Sequence, residues 1–126
     1  MTAEVGRTVV HRRYVPYNHA HYAGNLVDGA YSMAAFGDIA TELCILTDGD
    51  EGLFASYSDV QFLAPVRAGD VVEITATVLR VGRRSRQVRF ELSVLCRGTP
   101  ERGESAAVVL DPSILATTAV GTVVVP

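Results

Sequence analysis

Asp38 and Glu42 stand four residues apart in an otherwise apolar stretch, and His19 and His21 precede that stretch in a short polar loop. On a helix, this spacing turns both carboxylates to one side. Such a pair can divide proton work, one group accepting a proton while the other holds a cation or shares that proton. Burial penalises the charged form of a carboxylate and moves its pKa up toward neutrality, where a histidine already titrates. The segment from Asn18 to Leu46, NHAHYAGNLVDGAYSMAAFGDIATELCIL, therefore concentrates the groups that acid–base chemistry needs. No other part of the chain does so.

The element that must position these groups is a helix. Ala30, Met33, Ala34, Ala35, Phe36, Ile39, Ala40, Leu43, Cys44, Ile45 and Leu46 leave almost no polar face, and a helix apolar all round belongs inside something. Asn25 is expected to cap its start, with Asp28 three residues later in a capping-box-like position. Asp48-Gly49-Asp50-Glu51-Gly52 is its stop. That acidic loop lacks the spaced ligands of a calcium site and reads as a turn, so no metal is expected. At the helix start the free amides of Gly29 and Ala30 can face a carbonyl oxygen, with the positive end of the helix dipole behind them. Asp28 reads as part of the helix start, while Tyr22 and Tyr31 either line a pocket or fill core. His11 and His19 read as structural or solvated.

The remainder alternates like strands. Thr8 to Val15 is a first strand closed by Pro16, and Leu53 to Ala64 a second, with Phe54, Val60 and Phe62 on one face. Val71 to Val81 sets Val72, Ile74, Ala76 and Val78 against Glu73, Thr75 and Thr77, the pattern of an antiparallel strand buried on one face. Gly82-Arg83-Arg84-Ser85 is a hairpin turn into Arg86 to Arg97, whose core face is Val88, Phe90, Leu92, Val94 and Cys96. Gly98 to about Pro112 reads as a weakly patterned connection, within which Ala106 to Leu110 is apolar enough to leave its status open, and Ile114 to Val125 as a fifth strand.

At 126 residues and 48% hydrophobic, the chain is expected to be one domain, residues 1–126, with ample core. A net charge of -3 carries no footprint for nucleic acid or an anionic membrane. All eleven basic residues are arginine. Cys44 and Cys96 lack metal-type spacing and read as small reduced residues. Met1 to Arg7 does not resemble a signal peptide and no apolar run is long enough to span a bilayer, so a soluble cytoplasmic protein is expected.

Strand, long apolar helix and four further strands are the α+β arrangement of the hotdog fold, an antiparallel five-stranded sheet wrapped around one helix. Phe62-Leu63-Ala64-Pro65-Val66-Arg67-Ala68-Gly69-Asp70 resembles the strand connection of acyl-CoA-handling hotdog proteins. More narrowly, His21-Tyr22-Ala23-Gly24-Asn25-Leu26-Val27-Asp28-Gly29-Ala30, Phe36-Gly37-Asp38-Ile39-Ala40-Thr41-Glu42-Leu43 and Asp48-Gly49-Asp50 resemble the β-aminoacyl-CoA ammonia-lyases, which act on 3-aminobutyryl-CoA or β-alanyl-CoA. The resemblance covers Val9 to Val81 and, more loosely, Ala119 to Thr122. It implies a homodimer or higher homo-oligomer such as a trimer of dimers, a CoA thioester substrate, and reversible loss of ammonia without a prosthetic group. The His-Gly-Gly approach to the helix of many hotdog thioesterases is absent; Asp28-Gly29-Ala30 stands about where it would be.

That chemistry gives each candidate a role. Asp38, in an apolar cage, is expected to be the base; Glu42 to recognise the ammonium group or share the proton work; His21 to shuttle a proton. Gly29 and Ala30 are expected to hold the thioester oxygen, with Asn25 and Tyr22 against the substrate. Arg83, Arg84 and Ser85 at the hairpin tip are expected near the CoA phosphates, where arginine forks suit the geometry. Two alternatives stay open: an acyl-CoA thioesterase using Asp38, and a non-catalytic acyl-CoA-binding module.

Overall fold

The computed structural model describes residues 3–126, so Met1 and Thr2 of the segment read for a leader lie outside the described residues. The elements run β1 Thr8–Tyr14, β2 Ala20–Tyr22, β3 Leu26–Val27, α1 Gly29–Asp48, β4 Leu53–Phe62, β5 Val71–Val81, β6 Ser85–Gly98 and β7 Ala107–Val124. Five strands form one sheet in the order β1-β5-β6-β7-β4, antiparallel throughout. β2 and β3 form a small ribbon just before α1. This is the hotdog architecture expected from the order of elements.

The core lies between α1 and one face of the sheet. Phe36, Ile39 and Leu43 from the helix meet Val72 and Ile74 of β5 and Val88, Phe90 and Leu92 of β6, all fully buried. Each such large side chain is worth about 1.5–3 kcal/mol when withdrawn from water. Phe36 stacks on Phe90 with ring centroids 5.1 Å apart. Alternation on β5 and β6 places these residues as expected, except that Cys96 is only half-buried.

Four expectations are corrected. First, α1 is covered on one side only. Ala35, Phe36, Ile39, Ala40, Leu43 and Cys44 face the sheet, while Ala34, Asp38, Thr41, Glu42 and Ile45 are open to solvent. A single sheet layer contacts one stripe of a helix, and Ala34 and Ile45 on the other face stay uncovered among the described residues.

Second, the helix cap is Asp28 rather than Asn25, and its side chain makes no capping hydrogen bond. Asn25 lies in the preceding turn in the left-handed conformation, at φ 61. Leu26 and Val27 intervene because they pair with β2, while the Val27 amide donates to the Val66 carbonyl. The C-terminal stop is as expected: Gly49, left-handed at φ 66, donates its amide to the Ile45 carbonyl.

Third, β4 carries register shifts between Phe54 and Ser56 and between Ser58 and Gln61, with Asp59 at φ 51. The half-buried residues are therefore Phe54, Tyr57 and Val60, and Phe62 is 60% exposed. Bulges of this kind change which face a strand residue meets. Fourth, the stretch from Gly98 to Pro112 is only half a connection: Thr99 to Ala106 form the turn, while β7 begins at Ala107 and pairs there with Gly98, Arg97 and Cys96. Pro112 disguised the strand, and the ladder accommodates it where the register shifts between Val94 and Cys96.

Two ion pairs, one on a fully buried carboxylate and one partly buried, hold the connections. Asp70, fully buried, receives Arg97 through both carboxylate oxygens (3.0 and 2.8 Å) and the Arg67 amide at 2.8 Å. Asp48, at the helix C-terminus, receives Arg86 at 2.6 and 3.3 Å. Burial pushes the Asp48 carboxyl up, but hydrogen bonds from Arg86 and Thr47 outweigh it and hold the group below its ordinary range.

Candidate active site

The start of α1 opens between two cavities. One, of about 450 Å³, lies toward β4 and is lined by Tyr22, Asp28, Gly29, Ser32, Phe62 and Thr117. The other, of about 670 Å³, lies toward β1 and is lined by Arg13, His19, Asp28, Ala30, Tyr31 and Asp38. Asp28 borders both. Because its side chain makes no capping bond, the first helical amides keep their hydrogen-bonding capacity beside these spaces. A β-carbon at Gly29 would stand 2.6 Å from the Phe62 ring, so any other residue there must displace that exposed ring.

Asp38 borders the larger cavity but not in an apolar cage. Its side chain is 64% exposed, and Arg13 Nη2 donates to its Oδ2 at 2.9 Å. Glu42 is 49% exposed and lies 2.9 Å from His11 Nε2. The two contacts form parallel rungs, since alternate residues of β1 point to one face and residues four apart on α1 do likewise. Arg13 and His11 were not expected at the site, and their alternation in β1 was the available signal. Tyr31, T-shaped against His19 at 4.9 Å, also borders the larger cavity. Burial pushes its phenol up, with the charge and hydrogen bond of Arg13 working against that rise.

The other predicted residues are dispersed. His21 Nδ1 lies 3.6 Å from Asp28 Oδ2, and its ring packs edge-on to Tyr22 at 4.6 Å; neither cavity is lined by it. Glu42 lines neither. Asn25 borders a third cavity of about 500 Å³ together with Arg67, Asp70 and Arg97. Arg83, Arg84 and Ser85 sit at the β5–β6 turn, where the Arg84 carbonyl receives the Val125 amide and neighbouring Arg86 holds the helix C-terminus. The length of α1, about 28 Å by helical rise, separates them from Gly29. This chain therefore does not bring the hairpin arginines to the helix start. Cys44 is buried in the core, where burial pushes its thiol up, opposite to the shift that activates a cysteine. Among the described residues, no group of three or more His, Cys, Asp or Glu side chains could hold a metal ion.

Residues 24–102 match the thioesterase superfamily. Over 107 residues, 85% of both chains, the sequence is 47% identical to the 3-aminobutyryl-CoA ammonia lyase of Acetoanaerobium sticklandii. The chain belongs to the β-aminoacyl-CoA ammonia-lyase branch of that superfamily. Its fold agrees closely with the β-alanyl-CoA:ammonia lyase of Clostridium propionicum, at TM-score 0.90 and 35% identity, covering 97% of this chain and 87% of that one. A hexameric thioesterase from Yersinia pestis shares the fold at TM-score 0.75 and 20% identity, over 98% of this chain and 90% of that one.

Proposed function

We propose that this protein reversibly eliminates ammonia from a β-aminoacyl-CoA such as 3-aminobutyryl-CoA, giving the enoyl-CoA, and adds ammonia in reverse. The observation that carries this reading is the helix start: donors without a side-chain cap open between two cavities that share one carboxylate, in a chain closely related to a named ammonia lyase. The thioester oxygen accepts hydrogen bonds from the Gly29 and Ala30 amides, which stabilise the enolate-like charge as the α-proton leaves; each such donor is worth about 10²–10³ in kcat. The pair from the Cα–H bond forms the double bond, and the Cβ–N bond breaks with its pair on nitrogen. A substrate amine that enters as –NH₃⁺ thus departs as NH₃ and takes up the proton the base removed.

Asp38 serves as that base, with Glu42 and His21 assisting proton movement. Nine residues separate Asp38 from Gly29, about 13 Å along the helix, which is too far for one chain's Asp38 to reach a thioester held at its own helix start. The active form is accordingly a homodimer or larger homo-oligomer in which Asp38 of one copy serves the thioester bound by another. Solvent-exposed Ala34 and Ile45 on the Asp38 face support this. The enzyme needs no resident cofactor, works in the cytoplasm, and binds the CoA tail through surface arginines.

Incubation with crotonyl-CoA and ammonia tests the reading. Loss of enoyl absorbance without free thiol is the expected result. Thiol release identifies a thioesterase instead, and neither change leaves an acyl-CoA-binding module.

A further inference from the structure

We propose that Asp28, with the hydroxyls of Ser32 and Thr117, is the ammonium subsite of this reaction, the group that selects a β-amino substituent and keeps it positively charged. The proposal rests on the thioester being held at Gly29 and Ala30, as inferred above.

A carboxylate at a helix cap ordinarily accepts from the second or third amide of the helix. Asp28 does not. The nitrogen nearest its carboxylate among the ion-pair contacts is His21 Nδ1 at 3.6 Å, beyond hydrogen-bonding distance. It is therefore a carboxylate on the cavity wall whose acceptor capacity the chain leaves largely unused.

Ser32 lies four residues further on, on the same side of the helix, and borders the smaller cavity with Asp28. Its Oγ is 2.9 Å from Thr117 Oγ1, which rises from β7 beneath it, and each residue is 2% exposed. Two buried hydroxyls in an otherwise apolar interior are costly unless their hydrogen-bonding capacity is used. Among the described residues each has one side-chain partner, the other hydroxyl. One of the pair donates and the other accepts, so lone pairs remain for a further donor in the cavity.

A carboxylate and two hydroxyl oxygens around one space form an acceptor set for a group with three N–H donors and a positive charge. A primary ammonium is such a group. The β-nitrogen lies three bonds from the thioester carbonyl carbon, roughly 4 Å by ordinary bond lengths, and Asp28 is the residue immediately before Gly29. The spacing therefore sets the ammonium beside Asp28 when the carbonyl is at the helix start. Held there as –NH₃⁺, the nitrogen leaves as neutral NH₃, a far better leaving group than an amide ion. In the addition direction the carboxylate stabilises the positive nitrogen that forms as NH₃ attacks Cβ.

The test is steady-state addition of ammonia to crotonyl-CoA by the full-length protein, with ammonium chloride and crotonyl-CoA varied separately. In Asp28→Asn the KM for ammonia is expected to rise about 10- to 100-fold, the worth of one charge-assisted hydrogen bond, while the KM for crotonyl-CoA stays within about threefold. Thr117→Val is expected to raise the ammonia KM by a smaller factor and Thr117→Ser to restore it. Circular dichroism and melting temperature confirm that each variant is folded. An unchanged ammonia KM in Asp28→Asn, or an equal loss for both substrates, overturns the subsite. Wild-type protein that adds no ammonia overturns the lyase reading, and the subsite falls with it; that outcome is distinct from a wild type that works and a variant that works equally well.

Discussion

If Asp38 of one copy serves the thioester held by another, two inactive proteins should make one active one. Gly29→Pro removes a donor from the helix start. Proline is tolerated at the first helical position, and Asp28 before it is already extended at φ -77 and ψ 165, as a residue preceding proline must be. The new ring meets Phe62, which is 60% exposed and can swing aside. Asp38→Asn removes the base and leaves a side chain that can still accept from Arg13. Alone, each variant should lose about 10²-fold or more in turnover. When equal amounts are unfolded together and refolded, a site is intact only if its helix start comes from an Asp38→Asn chain and its base from a Gly29→Pro chain. Random pairing makes that about one site in four, whatever the size of a symmetric assembly. The mixture should therefore recover about 25% of wild-type turnover, more than tenfold above either parent. The assay is crotonyl-CoA consumption with ammonia, on samples whose refolding yield is fixed by circular dichroism. Activity equal to the mean of the two parents would refute the reasoning, because it would place Asp38 and the helix start in one chain's site or outside the site altogether.

Asp70→Asn strips the fully buried partner from Arg97; breaking such a pair costs about 3 kcal/mol or more, which lowers the melting temperature of a 126-residue domain by about 10 °C. A fall of less than about 3 °C would show that the pair is solvent-relieved. Asp48 is held below its ordinary 3.8, so its contribution is present above that pH and fades as pH falls below it. Melting temperature measured across the acid range should drop less steeply in Asp48→Asn than in wild type. Tyr57 donates to the Met33 carbonyl at 3.0 Å, and burial pushes its phenol from 10.0 up to about 12. Because the unfolded phenol ionises first, stability should fall between those two pH values, and Tyr57→Phe should make that fall shallower, leaving the share of Tyr31, while costing about 1 kcal/mol at neutral pH.

Local chemistry was legible where one period dominated. The faces of β5 and β6, the span of α1 to its left-handed Gly49 stop, and the order of elements that defines the hotdog fold all follow from alternation, helical spacing and turn residues. The segment bearing Asp38, Gly29 and Ala30 was recognisable too. Composition placed it on a helix, and its run of matched residues placed it among ammonia-lyases.

The rest depended on partners distant in the chain. Asp38 pairs with Arg13 across 25 positions, Glu42 with His11 across 31, and Asp70 with Arg97 across 27; no periodicity reports which nitrogen-bearing side chain a strand delivers to which carboxylate. An apolar residue on α1 reads alike whether it meets this chain's sheet or stands open, so Asp38 was expected in a cage that the single sheet does not build. The helix cap lies at Asp28 and not Asn25 because β3 pairs with β2 and so takes up Leu26 and Val27. Sequence by itself determined the elements and the kind of chemistry. Tertiary structure decided which groups share a cavity, because burial and ion pairing are properties of surfaces that meet only after the chain has folded.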